Sequence, residues 1–173
     1  MKEKQSLFEE LFLPHLDGAY NLARWIVQRD QDAQDVVREA YIQAQKEFVG
    51  FPRADARAWL LTIVRNAACN WIQKLGNNSS MIPLDEATRV ASDKPLPEPS
   101  PEEWQRHRHE ALSRLSVEFR EVLVLREIEG WSYEQLASAL NVSAATVTSR
   151  LSQARRRLRQ EVAGIQRKQL HDL

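Results

Sequence analysis

The chain has 173 residues, 43% of them hydrophobic and 28% charged. This is the composition of a globular protein, and it excludes a mostly disordered or collagen-like chain. At about 100–200 residues per domain, the length predicts one domain or two small ones. The 24 basic and 24 acidic residues cancel, which excludes a chain that is strongly basic throughout.

The number of cysteines and the length of the apolar runs indicate the cellular compartment of the protein. A single cysteine, Cys69, excludes a disulfide bond within the chain and favours a reducing environment. No apolar run approaches the ~20 residues that a membrane-spanning helix needs, and the charged N-terminus does not resemble a signal peptide. The sequence therefore predicts a cytoplasmic protein without direct membrane insertion.

The charges are unevenly distributed along the chain. Residues 1–75 are neutral, residues 76–103 contain 2 basic and 6 acidic side chains, and residues 104–173 contain 12 basic and 8 acidic ones. Within the last segment, five arginines fall between positions 150 and 159 with no acidic residue among them. A neutral protein with one basic end is a candidate for binding a polyanion at that end.

Apolar residues recur with helical spacing over most of the chain, and alternating strand patterns are absent. The sequence therefore predicts an all-α fold. In the first half we expect a helix over residues 7–28, continuous or broken at Pro14, followed by helices over residues 31–48 and 55–74.

The segment 76–103 is predicted to be a flexible linker between two small helical domains, residues 1–75 and 104–173. It is rich in Asn, Ser, Pro and acidic residues, and its last four prolines occupy alternate positions, which favours an extended spacer. The alternative is a surface loop within one domain, although unstructured loops above ~15 residues are uncommon there. After the linker we expect a helix over residues 104–115 and another that begins after Ser116.

The stretch 131–160 has the pattern of a helix-turn-helix. Ser132 followed three residues later by Gln135 forms a capping box that starts one helix. Asn141 tolerates the positive φ of a tight turn, and Ser143 can cap a second helix. Apolar residues of that helix share one face, and its opposite face carries small polar residues and arginine.

Such a helix suits the DNA major groove, where a recognition helix presents its N-terminal turns to base edges. Arginine, glutamine, serine and threonine can contact bases or phosphates. The arginine cluster would make that binding salt-dependent. The alternative is an αα-hairpin whose arginines are merely solvated.

Two blocks of the sequence resemble extracytoplasmic-function (ECF) sigma factors of the sigma-70 family. The block DAQDVVREAYIQAQKEF with ARAWLLTIVRNAACNWIQK resembles region two of that family. The block LSRLSVEFREVLVLREIEGWSYEQLASALNVSAATVTSRLSQARRRLR resembles region four. The resemblance implies that region two binds the β′ clamp helices of RNA polymerase core and opens the −10 element. Region four would bind the β flap and read the −35 element.

The resemblance also implies residues for core binding. Asp32, Asp35 and Glu39 match acidic positions of the core-binding helix and lie along one of its faces. Favourable charge near a helix N-terminus is the alternative explanation for the two aspartates. Gln34 and Arg38 depart from the common pattern of the family, so the strength of this contact is open.

Recognition of the −10 element is assigned, through the same resemblance, to a loop and a helix. The loop FPRADAR would hold a flipped base, or be an ordinary turn with Phe51 in the core. Trp59 and Trp71 are interpreted as core residues rather than as platforms for base stacking. The residues proposed for −10 contacts are Phe51, Arg53, Arg57, Arg65, Asn66, Asn70 and Lys74.

Recognition of the −35 element is assigned to the second helix of the helix-turn-helix. Thr148 and Gln153 stand where basic residues are common in the family, so an unusual −35 sequence or a weaker contact is expected. The residues proposed for −35 contacts are Ser143, Thr146, Thr148, Ser149, Arg150, Gln153, Arg155 and Arg156.

The expected partners are RNA polymerase core, promoter DNA and an anti-sigma factor. The two domains are expected to close on each other in the free or inhibited state and hide their DNA-binding faces. One cysteine and four histidines provide no metal-site spacing, and no cofactor or catalytic motif is found, so an enzyme is not expected. A self-standing helix-turn-helix regulator and a protein that sequesters another regulator remain alternatives.

Overall fold

The computed structural model describes residues 2–51, 55–76, 98 and 100–172. The α-helices in these ranges are α1 (Lys2–Phe12), α2 (Leu16–Val27), α3 (Asp30–Glu47), α4 (Ala56–Gly76), α5 (Pro101–Arg114), α6 (Val117–Leu123), α7 (Tyr133–Leu140) and α8 (Ala144–His171). No strand is present among the described residues, and the predicted all-α fold is confirmed. Most of the predicted linker, and Arg53, lie outside these ranges.

The helix boundaries differ from the expected ones at two places. Pro14 lies in a 3-10 turn, Leu13–His15, that separates α1 from α2, so the first helical segment is the broken pair. Helix α5 begins at Pro101, three residues earlier than predicted, because Ser100 forms a capping box with Glu103. Proline at the first helical position is compatible with that start, since its missing N–H has no partner there in any case.

The first half of the molecule (residues 2–51 and 55–76) is a bundle in which α2, α3 and α4 pack on one another and α1 lies against α4. The apolar residues of α3 recur with helical spacing, and Ala33, Val36, Ala40 and Ala44 are buried, with Val37 and Tyr41 half-buried beside them. A cluster of aromatic rings packs among α1, α3, α4 and the segment that follows α3. The rings of this cluster belong to Phe8, Phe12, Tyr41, Phe48, Phe51 and Trp59.

The second half (residues 100–172) packs α5, α6 and α7 around the long helix α8. A π-helical turn, Val124–Ile128, continues α6 and was not predicted from the sequence. The backbone N–H of Glu129 donates to Val124 O at 3.0 Å across this turn. Turns of this kind are frequent at functional sites, and this one precedes Glu129, whose carboxylate contacts the first half.

The two halves are in direct contact, and one continuous hydrophobic core runs through both. Helix α2 packs against α6 and against the π-helical turn. The buried guanidinium of Arg120 donates to Ile26 O at 2.8 Å, and Gln28 Nε2 donates to Ser113 O at 2.9 Å. The structure therefore shows a closed arrangement of the two halves.

Within the described ranges, no helix combines the length and the apolar character needed to cross a membrane. No group of three or more His, Cys, Asp or Glu side chains in the same ranges is placed to hold a metal ion.

Candidate nucleic-acid interface

The helix-turn-helix forms as the local sequence signals predict. The Ser132 side chain accepts from the backbone N–H of Gln135, whose own side chain accepts from the N–H of Ser132. Asn141 adopts the left-handed conformation, with φ of 52°, and the Ser143 side chain accepts from Thr146 N at 3.1 Å. These caps fix where α7 and α8 begin, and the turn fixes the angle between them.

The capping box gives a direct stability prediction. Replacing Ser132 by Ala removes an acceptor at the N-terminus of α7 and is expected to lower the free energy of unfolding by about 1 kcal/mol. Denaturant titration followed by circular dichroism measures this change. Ser138→Ala is the matched control, because Ser138 is exposed within the same helix and alanine favours helix there. Equal effects of the two substitutions would contradict the capping role.

The outer face of α8 carries most of the residues proposed for −35 contacts. Ser149, Gln153 and Arg156 are exposed along it, while Thr146 and Arg150 are half-buried at one of its edges. Ala144 and Ala145, at the start of α8, are also exposed. Small side chains there allow the backbone to approach a duplex closely, as recognition of the major groove requires.

Two of the proposed −35 residues lie on the other edge of α8. Thr148 is exposed, and its hydroxyl donates to Ala144 O at 3.0 Å. Arg155 donates to Glu127 at 2.7 Å, and this hydrogen bond raises the pKa of Arg155 above its ordinary value. The guanidinium of Arg155 is therefore held against the π-helical turn of its own half. Its assignment rested on the arginine cluster between positions 150 and 159, and such a cluster does not distinguish the two edges of a helix.

Helix α4 presents a second polar face, in the first half. Asn66, Asn70 and Lys74 are exposed and four residues apart, so they form a continuous row along the helix. Asparagine can make paired hydrogen bonds to a base. These three residues are exposed to solvent in the closed arrangement.

Two arginines that were grouped with this row instead contact the second half. Arg65 donates from Nε and Nη2 to the two carboxylate oxygens of Glu121, at 2.8 and 2.9 Å. Arg57 forms a salt bridge with Glu129. The hydrogen bond to Glu121 raises the pKa of Arg65. The contact between the two halves thus half-buries Arg65, pairs Arg57 while leaving its side chain 47% exposed, and leaves the asparagine row exposed.

Sequence reasoning missed Glu121 and Glu129 as partners of the first half. Their side chains are only 2% and 6% exposed, an unusual degree of burial for carboxylates. Glu121 lies in an apolar helical segment and Glu129 directly follows one. No local sequence pattern indicates that an acidic residue at such a position is buried. The burial of Leu61 and Ala68 on α4 was also not predicted. It depends on packing that the spacing of apolar residues along a single helix does not reveal.

The aromatic residues near the proposed −10 site pack within the first half. The Phe51 ring lies 5.5 Å from that of Phe12 and 5.0 Å from that of Trp59, measured between ring centroids. Phe51 is half-buried. These contacts favour the interpretation of Phe51 and Trp59 as packing residues over that of free platforms for base stacking.

The acidic residues of α3 border a surface depression. Asp35, Glu39, Ile42 and Trp71 line it together with other polar residues of α3. Asp32 is half-buried one turn before Asp35 and does not belong to this lining. The Trp71 indole N–H is buried and has no hydrogen-bond partner among the described residues. The lining combines two acidic side chains, Asp35 and Glu39, and two basic ones, Arg38 and Lys46, with the exposed apolar surface of Ile42, a mixture compatible with a protein-binding surface.

The fold and its two polar faces define a two-part helical protein of the helix-turn-helix class. Comparison with known proteins extends this result. The family model for sigma-70 region 2 matches residues 11–77, and that for sigma-70 region 4 matches residues 109–158. The two matched segments correspond to the two halves of the structure.

Individual relatives give the same result. The chain is 33% identical to the ECF RNA polymerase sigma factor SigM of Mycobacterium tuberculosis, over 87% of this chain and 74% of the relative. It is 29% identical to SigE of Mycolicibacterium smegmatis, over 90% of this chain, and spans 62% of the length of that relative.

A solved structure is similar over the whole fold. The sigma factor RpoE of Bartonella quintana, crystallised with the anti-sigma factor NepR, has a TM-score of 0.68 and 26% identity, covering 90% of this chain and 96% of that one. The chain belongs to the sigma-70 family, as an extracytoplasmic-function sigma factor.

Proposed function

We propose that this chain binds bacterial RNA polymerase core and directs transcription from promoters that it selects through two separate DNA contacts. The observation that carries the proposal is the presence of one exposed polar face in each half. These are the row Asn66, Asn70 and Lys74 on α4, and the outer face of α8. A protein that read a single operator with its helix-turn-helix would have no use for the first of these faces.

In this proposal, α4 contacts the −10 element and α8 contacts the −35 element. Asparagine and lysine on α4 supply base and phosphate contacts. Ser149, Arg150 and Gln153 supply those of α8, with Ser143, Thr146, Thr148 and Arg156 around them. Arg155 has a reduced role because it is held by Glu127.

The depression between α3 and α4 is proposed to bind polymerase core. Asp35 and Glu39 would pair with basic positions of a coiled coil, while Ile42 and Trp71 would add apolar contact. Asp32 is proposed to assist from the adjacent turn. Polar rims around a small apolar centre are typical of such interfaces.

Association with core polymerase that lacks a sigma factor tests the proposal. The wild-type chain is expected to form a stable complex in size-exclusion chromatography and to bind in titrations followed by fluorescence anisotropy. Asp35→Asn combined with Glu39→Gln is expected to weaken this binding at least about tenfold. Glu10→Gln is the control, because Glu10 is an exposed acid of the same half. Absence of binding by the wild-type chain would contradict the proposed function.

An anti-sigma factor is proposed as the regulatory partner. The support is the similarity to the Bartonella quintana sigma factor, which was crystallised with its anti-sigma factor. Sigma factors act on polymerase in the cytoplasm, and a cytoplasmic location is proposed for this chain. Its activity consists of binding and of directing polymerase, and it needs no catalytic residue of its own.

A further inference from the structure

We infer that Glu121 and Glu129 are an internal anionic competitor for DNA: they bind Arg57 and Arg65 in the closed form and keep these arginines from promoter phosphates. The inference rests on the proposed function, because it takes α4 to be the helix that contacts the −10 element. The two glutamates are called the carboxylate pair below.

Of the two contacts between the carboxylate pair and the arginines, that between Glu121 and Arg65 is the stronger. Both carboxylate oxygens accept from the guanidinium, from Nε at 2.8 Å and from Nη2 at 2.9 Å. Parallel bonds of this kind are the geometry in which arginine recognises carboxylate or phosphate. The donors that α4 would offer to a phosphate are thus already occupied. The remaining Nη1 donates to Asn66 Oδ1 at 3.1 Å, which links the buried pair to the exposed row.

The second contact lies two turns earlier on the same face of α4. Arg57 pairs with Glu129, which sits over α2 near Gly18. Leu61 lies midway between the two arginines in sequence and is fully buried. The carboxylate pair therefore spans the side of α4 that faces the second half. The contact at Arg65 is largely buried, whereas the Arg57 side chain remains 47% exposed.

This arrangement couples opening to DNA binding. A phosphate that takes Arg65 leaves the Glu121 carboxylate buried without a counter-charge, which is strongly unfavourable. The two halves must therefore separate when DNA binds these arginines. Conversely, weakening the contacts between the carboxylate pair and the two arginines is expected to favour the open form. Both arginines are then released together.

The single cysteine provides a measure of opening. Cys69 Sγ lies 3.5 Å from Glu121 Oε2, and burial followed by the nearby Glu121 charge raises the pKa of Cys69 to about 12. The thiol is therefore protonated, and it is half-buried, in the closed form. Its rate of modification by iodoacetamide reports the population of the open form.

Glu129→Gln is the informative variant. It removes the salt bridge between Glu129 and Arg57 and leaves the surroundings of Cys69 unchanged. In the full chain it is expected to raise the rate of Cys69 modification about threefold, as the loss of a half-exposed ion pair would. It is also expected to tighten binding to a single-stranded DNA of randomised sequence. Glu134→Gln is the control: it removes the same charge from an exposed position in the same half and is expected to change neither measurement appreciably.

The outcomes separate the inference from the proposed function. Faster Cys69 modification together with tighter DNA binding, at unchanged helical circular dichroism, supports the inference. An unchanged modification rate overturns the inference. Faster modification also overturns it if helical circular dichroism is lost or if DNA binding is not tighter. Failure of the proposed function appears elsewhere, as absence of binding between the wild-type chain and core polymerase.

Discussion

Arg65→Gln is expected to lower the free energy of unfolding by about 3 kcal/mol, the larger part of it arising from Glu121 rather than from the lost contact. The substitution leaves a carboxylate with 2% side-chain exposure without its cation. Removing one partner of a buried ion pair typically costs ~3–5 kcal/mol for this reason. Because one hydrophobic core joins the two halves, denaturant titration should register the loss in the main transition.

The double variant distinguishes this cause from a general loss of packing. Glu121→Gln in the Arg65→Gln background removes the unpaired charge and is expected to recover about 1–2 kcal/mol, as interacting pairs do in mutant cycles. Arg29→Gln is the control, because Arg29 is an exposed arginine of the same half. If the double variant is less stable than Arg65→Gln alone, the charge-pair explanation is wrong.

Arg120→Met is the second large effect. The Arg120 side chain is buried and donates to three carbonyl oxygens, those of Ile26 at 2.8 Å, Leu115 at 3.0 Å and Ser113 at 3.3 Å. Burial lowers its pKa to about 10, so the guanidinium remains charged at neutral pH. Ile26 belongs to the last turn of α2, where carbonyl oxygens lack partners and a cation is favourable. A single side chain thus joins the end of α2 to the second half.

Methionine keeps much of the volume of Arg120 but leaves the carbonyl oxygens of Ile26 and Leu115 without this donor, while Ser113 O keeps the side-chain N–H of Gln28. Since each buried unsatisfied polar group costs about 1–3 kcal/mol, we expect the free energy of unfolding to fall by about 3 kcal/mol. Arg106→Met, at an exposed position of α5, is the control and should change it by less than about 0.5 kcal/mol. If Arg120→Met lowers the free energy of unfolding as little as the control does, α2 and the second half are held together by other contacts.

Elements with local signals were predictable from the sequence. The start of α7 follows from Ser132 and Gln135, the turn from Asn141, and the start of α8 from Ser143, since each effect acts within four residues. The break at Pro14 was one of two stated alternatives. The start of α5 was missed because the alternating prolines favour an extended segment and the capping box of Ser100 and Glu103 was not recognised.

The candidate site was predictable only in part, because its closed side is formed by residues distant in sequence. The exposed row on α4 and the outer face of α8 follow from helical spacing within each half. The partners of Arg65 and Arg57 lie 56 and 72 residues away, and no periodicity encodes such contacts. The contact of Arg155 was not predicted for a related reason, since Glu127 lies outside its helix and no pattern along α8 shows the contact.

Run-off transcription with core polymerase tests the central claim most directly. The template carries the DNA upstream of this chain's own gene, and the protein is the full chain. We predict a discrete transcript that depends on the chain and falls at least about tenfold with Asn66→Ala or with Arg150→Ala. It should persist with Asn21→Ala and Arg29→Ala, which alter exposed residues of the same types. A discrete transcript that both site variants leave unchanged, or a footprint on duplex DNA by the chain alone without any core-dependent transcript, would contradict the account.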